Sequence, residues 1–157
     1  MSQRVSGIDL ETSLGYLLKE ASSALRTAME AVLRPLGMSI THYSCLELLS
    51  QRPGLSNSDL ARGTFVSRQS MNVLLQALER DGLVSRPEQA PAGRVLPTEL
   101  TPSGRKQLSA ASAAVKAVED QMKSGLSGNE QTQLASLLSR CVASLAGGIE
   151  DAAPPKP

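Results

Sequence analysis

Apolar residues recur along this chain at helical spacing. Leu10, Leu14, Leu17, Ala21, Leu25, Ala28 and Val32 step by four, three, four, four, three and four residues. That rhythm lays a narrow apolar stripe on one helix face, like the seam of paired helices. It predicts a first helix over residues 8–36, with Asp9 and Glu11 near its positive end and Pro35 and Gly37 stopping it. A helix of about 25 residues exceeds the usual length in globular domains, so part of its stripe is expected to pair with a second chain.

Shorter patterns follow. Tyr43, Leu46, Leu48 and Leu49 predict a second helix, capped by Thr41 and stopped at Arg52-Pro53-Gly54. Ser56 caps a third, and Asp59 can reach back to it as in a capping box. Gly63 is expected to interrupt that helix. Ser67 caps a fourth, whose Met71, Leu74, Leu75 and Leu78 follow the three-four rule up to Asp81-Gly82. The texture then changes. Residues 83–87 and 94–100 read as two short strands around the turn-rich Glu88-Gln89-Ala90-Pro91-Ala92-Gly93, with Pro97 where no ladder bond is needed. Such a lone hairpin must lean on helices. Thr101 and Pro102 start a fifth helix running toward Gly125. Ser127 and Glu130 cap a sixth, with Leu134, Leu137, Leu138, Cys141, Val142, Leu145 and Ile149 on one face. Residues 151–157 are Ala/Pro-rich and expected to be a disordered tail.

Composition narrows the class. The chain has 157 residues, enough for one domain or one domain with an extension. Tyr16, Tyr43 and Phe65 are its only aromatics, so the core must be aliphatic. That favours helices over a β-sandwich and disfavours base stacking on aromatic platforms. Cys45 and Cys141 lie far apart without metal-type spacing, and both are expected to be reduced core residues. No basic start followed by an apolar run marks a signal peptide, and no apolar run reaches the ~18 residues of a membrane span. A cytoplasmic protein is expected. The net charge is +1, but residues 52–106 hold eight Lys/Arg against five Asp/Glu, leaving mildly acidic ends. One histidine, no metal-ligand cluster, no glycine-rich phosphate loop and no nucleophile–base motif argue against an enzyme, a metal or a cofactor.

The order of elements predicts a mainly α fold with a small β-hairpin wing, a winged helix-turn-helix. A major groove about 12 Å wide admits a helix leading with its N-terminus. Ser67, Arg68, Gln69, Ser70 and Asn72 put hydrogen-bonding groups there, while the apolar face of the same helix holds the core. The helix N-terminus also favours a phosphate. Ser56 and Asn57, opening the third helix, complete this set with Arg94, a charged fork beside the small Ala92-Gly93 that suits a narrow minor groove.

Four stretches make the resemblance specific: Leu36-Gly37-Met38-Ser39 leading to Tyr43 and Leu46, residues 55–61, residues 78–86, and Gly93-Arg94 followed by Leu100-Thr101-Pro102-Ser103-Gly104-Arg105. The chain resembles the MarR family of dimeric winged-helix transcriptional regulators over roughly residues 10–148. The Leu-Thr-x-x-Gly-Arg after a wing arginine is the most diagnostic piece. The resemblance implies an N-terminal dimerisation helix (8–36), a DNA-binding lobe (39–100) and C-terminal dimerisation helices (101–150). It implies a homodimer on a pseudo-palindromic double-stranded operator, the fourth helix in the major groove and Arg94 in the minor groove. One departure is Ala92, where the family usually carries an aspartate that helps fix the wing. The family also binds small aromatic or lipophilic anions between its two lobes, which makes Tyr16, Arg26, His42 and Tyr43 the candidate lining. Oxidant-sensing members use a cysteine early in the first helix, and none lies there. The expected function is a ligand-released repressor. The alternative is a dimerising adaptor that keeps the winged-helix shape without binding DNA.

Overall fold

Every α-helix among the described residues starts behind a hydroxyl side chain. The computed structural model describes residues 7–86 and 97–147. It contains α1 (Leu14–Leu33), a 3-10 turn (Arg34–Leu36), α2 (Ile40–Gln51), α3 (Asn57–Thr64), α4 (Arg68–Arg80), β1 (Val84–Ser85), β2 (Glu99–Leu100), α5 (Pro102–Lys123) and α6 (Gly128–Ala146). Ser13, Ser39, Ser56, Ser67 and Ser127 each accept the backbone N–H three residues on. Thr101 does the same for Gly104. Each cap satisfies a donor that the helix itself leaves unpaired.

The chain divides into two units, Met1–Val118 and Glu119–Pro157. The first holds one aliphatic core. Leu33 of α1, Cys45, Leu46 and Leu49 of α2, and Leu60 of α3 meet Met71, Leu75 and Leu78 of α4 there. Val84, Leu100, Leu108 and Ala111 close it from the hairpin and α5. The hairpin base pairs antiparallel, Val84 with Leu100 and Ser85 with Glu99. In the second unit, α6 buries none of its residues. Its Leu134, Leu137, Leu138, Val142 and Leu145 stand exposed.

The root of α5 explains the Leu-Thr-x-x-Gly motif. The Thr101 hydroxyl donates to the Gly82 carbonyl at 2.6 Å, and the Thr101 N–H donates to the Leu83 carbonyl at 3.1 Å. A Cβ on Gly104 would stand 2.0 Å from that same Leu83 oxygen. The motif therefore seats α5 directly on the backbone that leaves α4.

Several expectations change. The first helix begins at Leu14, not near residue 8, because Ser13 caps it; Asp9 instead accepts the Glu11 N–H at 3.1 Å in a turn upstream, outside the first helical turn. Ser39 rather than Thr41 caps α2, with His42 completing the capping box. Gly63 does not interrupt α3 but sits inside it, where a Cβ would come within 2.7 Å of Leu48 Cδ1. Cys45 is buried as expected, but Cys141 is exposed, as are its neighbours on the apolar face of α6 among the described residues. The fifth helix stops at Lys123, short of Gly125. The hairpin tip at residues 88–93, Arg94, Ile149 and the tail lie outside the described residues.

Candidate nucleic-acid interface and effector pocket

The α3–turn–α4 segment is held from beneath and open above. Leu60 and Ala61 of α3 and Met71, Leu75 and Leu78 of α4 are buried. The turn between them runs through Phe65 in the left-handed region (φ 60°), and Val66 donates its N–H to Ala61 at 3.1 Å. On the outer side, Ser67, Arg68, Gln69, Ser70 and Asn72 are all exposed. Their roles differ. The Ser67 hydroxyl donates to Ser70 Oγ at 3.0 Å and accepts the Ser70 N–H at 3.1 Å, so Ser67 is spent on the cap while the Ser70 hydroxyl proton stays available. Arg68, Gln69 and Asn72 offer their side chains to solvent. The Ser56 hydroxyl is likewise engaged: it donates to Asp59 Oδ2 at 2.8 Å and accepts the Asp59 N–H at 3.1 Å. The Ser56 hydroxyl and the Ser56 backbone N–H, both donating to Oδ2, hold the Asp59 carboxyl below the usual carboxylate range, with Arg62, its ion-pair partner, helping. Asn57 is half-buried, and its Oδ1 has no hydrogen-bond partner among the described residues.

Arg86 Nε meets Glu79 Oε2 at 3.2 Å, tying the root of the hairpin to the last turn of α4. The expected wing contact, Arg94, and its neighbours Ala92 and Gly93 lie outside the described residues.

A pocket of about 240 Å³ opens beside the other end of α4. It is lined by Gly37, Met38 and His42, by Leu78, Asp81 and Leu83 from the end of α4 onward, and by Gln107 of α5. Of the four residues expected to line an effector site, the structure places His42 here. Tyr16 and Arg26 are exposed on α1, and Tyr43 packs against the core. Asp81 and Gln107 escaped sequence reading because neither carries a local signal for a cavity.

His42 Nδ1 accepts the Ser39 N–H at 3.3 Å, so the neutral ring carries its proton on Nε2, facing away from the cap. Burial lowers the His42 pKa from its ordinary value, and the nearby Asp81 carboxylate opposes that shift. A depressed histidine pKa means that the unfolded chain takes up its proton first as pH falls. The associated stability is complete above about pH 6.5 and is lost as pH drops through the lower folded value. Urea titrations from pH 7.5 down to 5 should show this loss, and His42→Gln should flatten it. An unchanged slope in the variant would remove His42 as its source.

The sequence matches the MarR family over residues 36–94. HTH-type transcriptional repressor Rv2887 of Mycobacterium tuberculosis is 38% identical over 134 residues, covering 85% of this chain and 96% of that protein. This chain belongs to the MarR family. Solved structures agree. The MarR family protein Rv2887 in complex with DNA is 37% identical with a TM-score of 0.70, covering 83% of this chain and 98% of that one. Its complex with salicylic acid is 38% identical with a TM-score of 0.69, covering 83% and 96%. A MarR-family transcriptional regulator from Silicibacter pomeroyi is 25% identical with a TM-score of 0.79, covering 90% and 96%.

As a MarR-family helix-turn-helix, residues 57–80 carry two features that periodicity did not single out. Phe65 is 94% exposed and Val73 is 62% exposed. Only the exposure of an apolar side chain distinguishes them, and exposure is a property of the folded chain.

Proposed function

We propose that the protein is a homodimeric, sequence-specific DNA-binding regulator, a repressor released from its operator by a small aromatic acid. The observation that carries this reading is the outer edge of α4. Arg68, Gln69, Ser70 and Asn72 stand exposed at its N-terminus over a buried Met71–Leu75–Leu78 anchor. Polar donors leading on a helix fixed from behind suit the major groove. Kinship with a repressor whose complexes with DNA and salicylic acid are known supports the same assignment.

In this reading α4 supplies base contacts and Arg94 the minor-groove contact. The exposed stripes of α1 and α6, with the end of α5, supply the dimer interface. Residues 39–100 form the DNA-binding lobe, and residues 8–36 and 101–150 the dimerisation helices. The pocket suits a phenolic acid: Asp81 can accept a phenol proton, while His42 Nε2–H and the Gln107 amide can donate to an acceptor. Because Leu78 and Asp81 belong to the end of α4, a bound ligand that prefers one setting of this helix shifts the population away from the DNA-competent one. Such a regulator works in the cytoplasm and needs no catalytic chemistry.

Site selection from a randomised duplex pool tests the reading. It should enrich a pseudo-palindrome whose half-sites lie about 10 base pairs apart, centre to centre. A pool that stays random would overturn the assignment. On the selected duplex, Arg94→Ala should weaken binding by about 1–3 kcal/mol, the scale of one good groove contact, with the circular dichroism spectrum unchanged. Wild-type affinity in that variant would sink the wing assignment alone.

A further inference from the structure

Between Gly37 and Val118, two large apolar side chains among the described residues stand in solvent: Phe65 and Val73. Both belong to the helix-turn-helix. Their neighbours do the opposite: Leu60, Met71, Leu75 and Leu78 are buried, and Val66 and Leu74 pack against that core. Phe65 also keeps a left-handed backbone, the only non-glycine among the described residues to do so. Glycine would adopt that conformation without strain. An exposed aromatic held in a strained turn points to a contact the chain alone does not make.

Val73 follows Gln69 by four residues and precedes Gln76 by three, so the three share one outward face of α4. At 1.5 Å per residue, Val73 sits about 6 Å along the axis from Gln69, roughly two base-pair steps. Gln69 can pair with the N6 and N7 edge of adenine. Val73 can offer a groove nothing but an apolar surface. The apolar group on the major-groove floor is the C5-methyl of thymine.

We propose that Val73 and Phe65 form an apolar reading pair that recognises thymine C5-methyl groups, Val73 beneath the helix and Phe65 at the turn where it enters the groove. This rests on the DNA-reading assignment of α4 and adds to it the base each residue selects.

The test replaces each thymine of the site-selected duplex by uracil, which removes one methyl group and keeps every hydrogen-bonding group. Wild-type dimer should lose about fourfold in affinity at a critical thymine, the value of one buried CH₂. Val73→Ala should become indifferent to uracil at one position and Phe65→Gly at another, while Val73→Ile keeps the discrimination. Phe65→Gly should also melt at a higher temperature as it binds more weakly, because it relieves the strained turn; a purely structural Phe65 would lower both. Full discrimination in either variant overturns that member of the pair. Wild-type protein that binds its selected duplex specifically but ignores every uracil overturns the pair and leaves the DNA-binding assignment standing. Failure to select or prefer any duplex overturns the assignment beneath both.

Discussion

Gly104→Ala is expected to destabilise the folded chain by about 2–4 kcal/mol. The new methyl would stand 2.0 Å from the Leu83 carbonyl oxygen and 3.0 Å from its carbon, both backbone atoms that cannot rotate away. Relief requires α5 to lift off the segment after α4. That movement stretches the bonds from Thr101 to the Gly82 and Leu83 carbonyls. Overpacking costs about 1–3 kcal/mol and each lost hydrogen bond about 1, against roughly 1 gained in helix propensity. For a chain of this size the midpoint of thermal unfolding should fall by about 5–15 °C. Ser103→Ala, exposed one residue earlier, serves as the control and should shift it little. A wild-type midpoint in Gly104→Ala would mean that the close seat of α5 is not a stability determinant.

The second large effect concerns α6. Leu138→Glu with Leu145→Glu places two charges seven residues apart on its apolar face. Both side chains are exposed within the single chain, Leu145 at 83%. Neither residue belongs to the core of the first unit. Sedimentation should show a monomer with near wild-type helix content. Affinity for a two-half-site operator should fall roughly 100- to 10 000-fold, the gain that linkage of two binding modules supplies. Affinity for a single half-site should change little. A variant that remains dimeric would move the interface off α6.

Much of this architecture is written in local signals. Ser56 with Asp59, Ser67, Thr101 with Pro102, and Ser127 with Glu130 each mark a helix start in sequence, and each caps one in the structure. The start of α2 was illegible because its box is closed by His42, not by the Glu or Gln that the pattern calls for. The apolar stripe runs on into Leu10, ahead of the start of α1 at Leu14, and periodicity carries no information about where hydrogen bonding begins. Gly63 reads as a helix breaker, yet it serves the close approach of Leu48. The polar edge of α4, an ordinary helix start by itself, was legible through the order of helices and the hairpin around it. Phe65 and Val73 were not, since their meaning lies in being uncovered after the core has formed. Cys141 shows the same limit from the other side: periodicity names the face of α6 but not what covers it.

The most direct test of sequence-specific DNA binding is a fluorescence-anisotropy titration of the wild-type protein. A site-selected duplex and its shuffled counterpart would be compared at 50 mM and 200 mM salt, conditions over which a protein making several phosphate contacts loses roughly a thousandfold or more in affinity. Tight binding to the selected duplex, weaker by orders of magnitude on the shuffled one and steeply dependent on salt, is the predicted result. Equal affinities for the two duplexes, or no binding by a folded dimer, would contradict it and leave a winged-helix scaffold that does not read DNA.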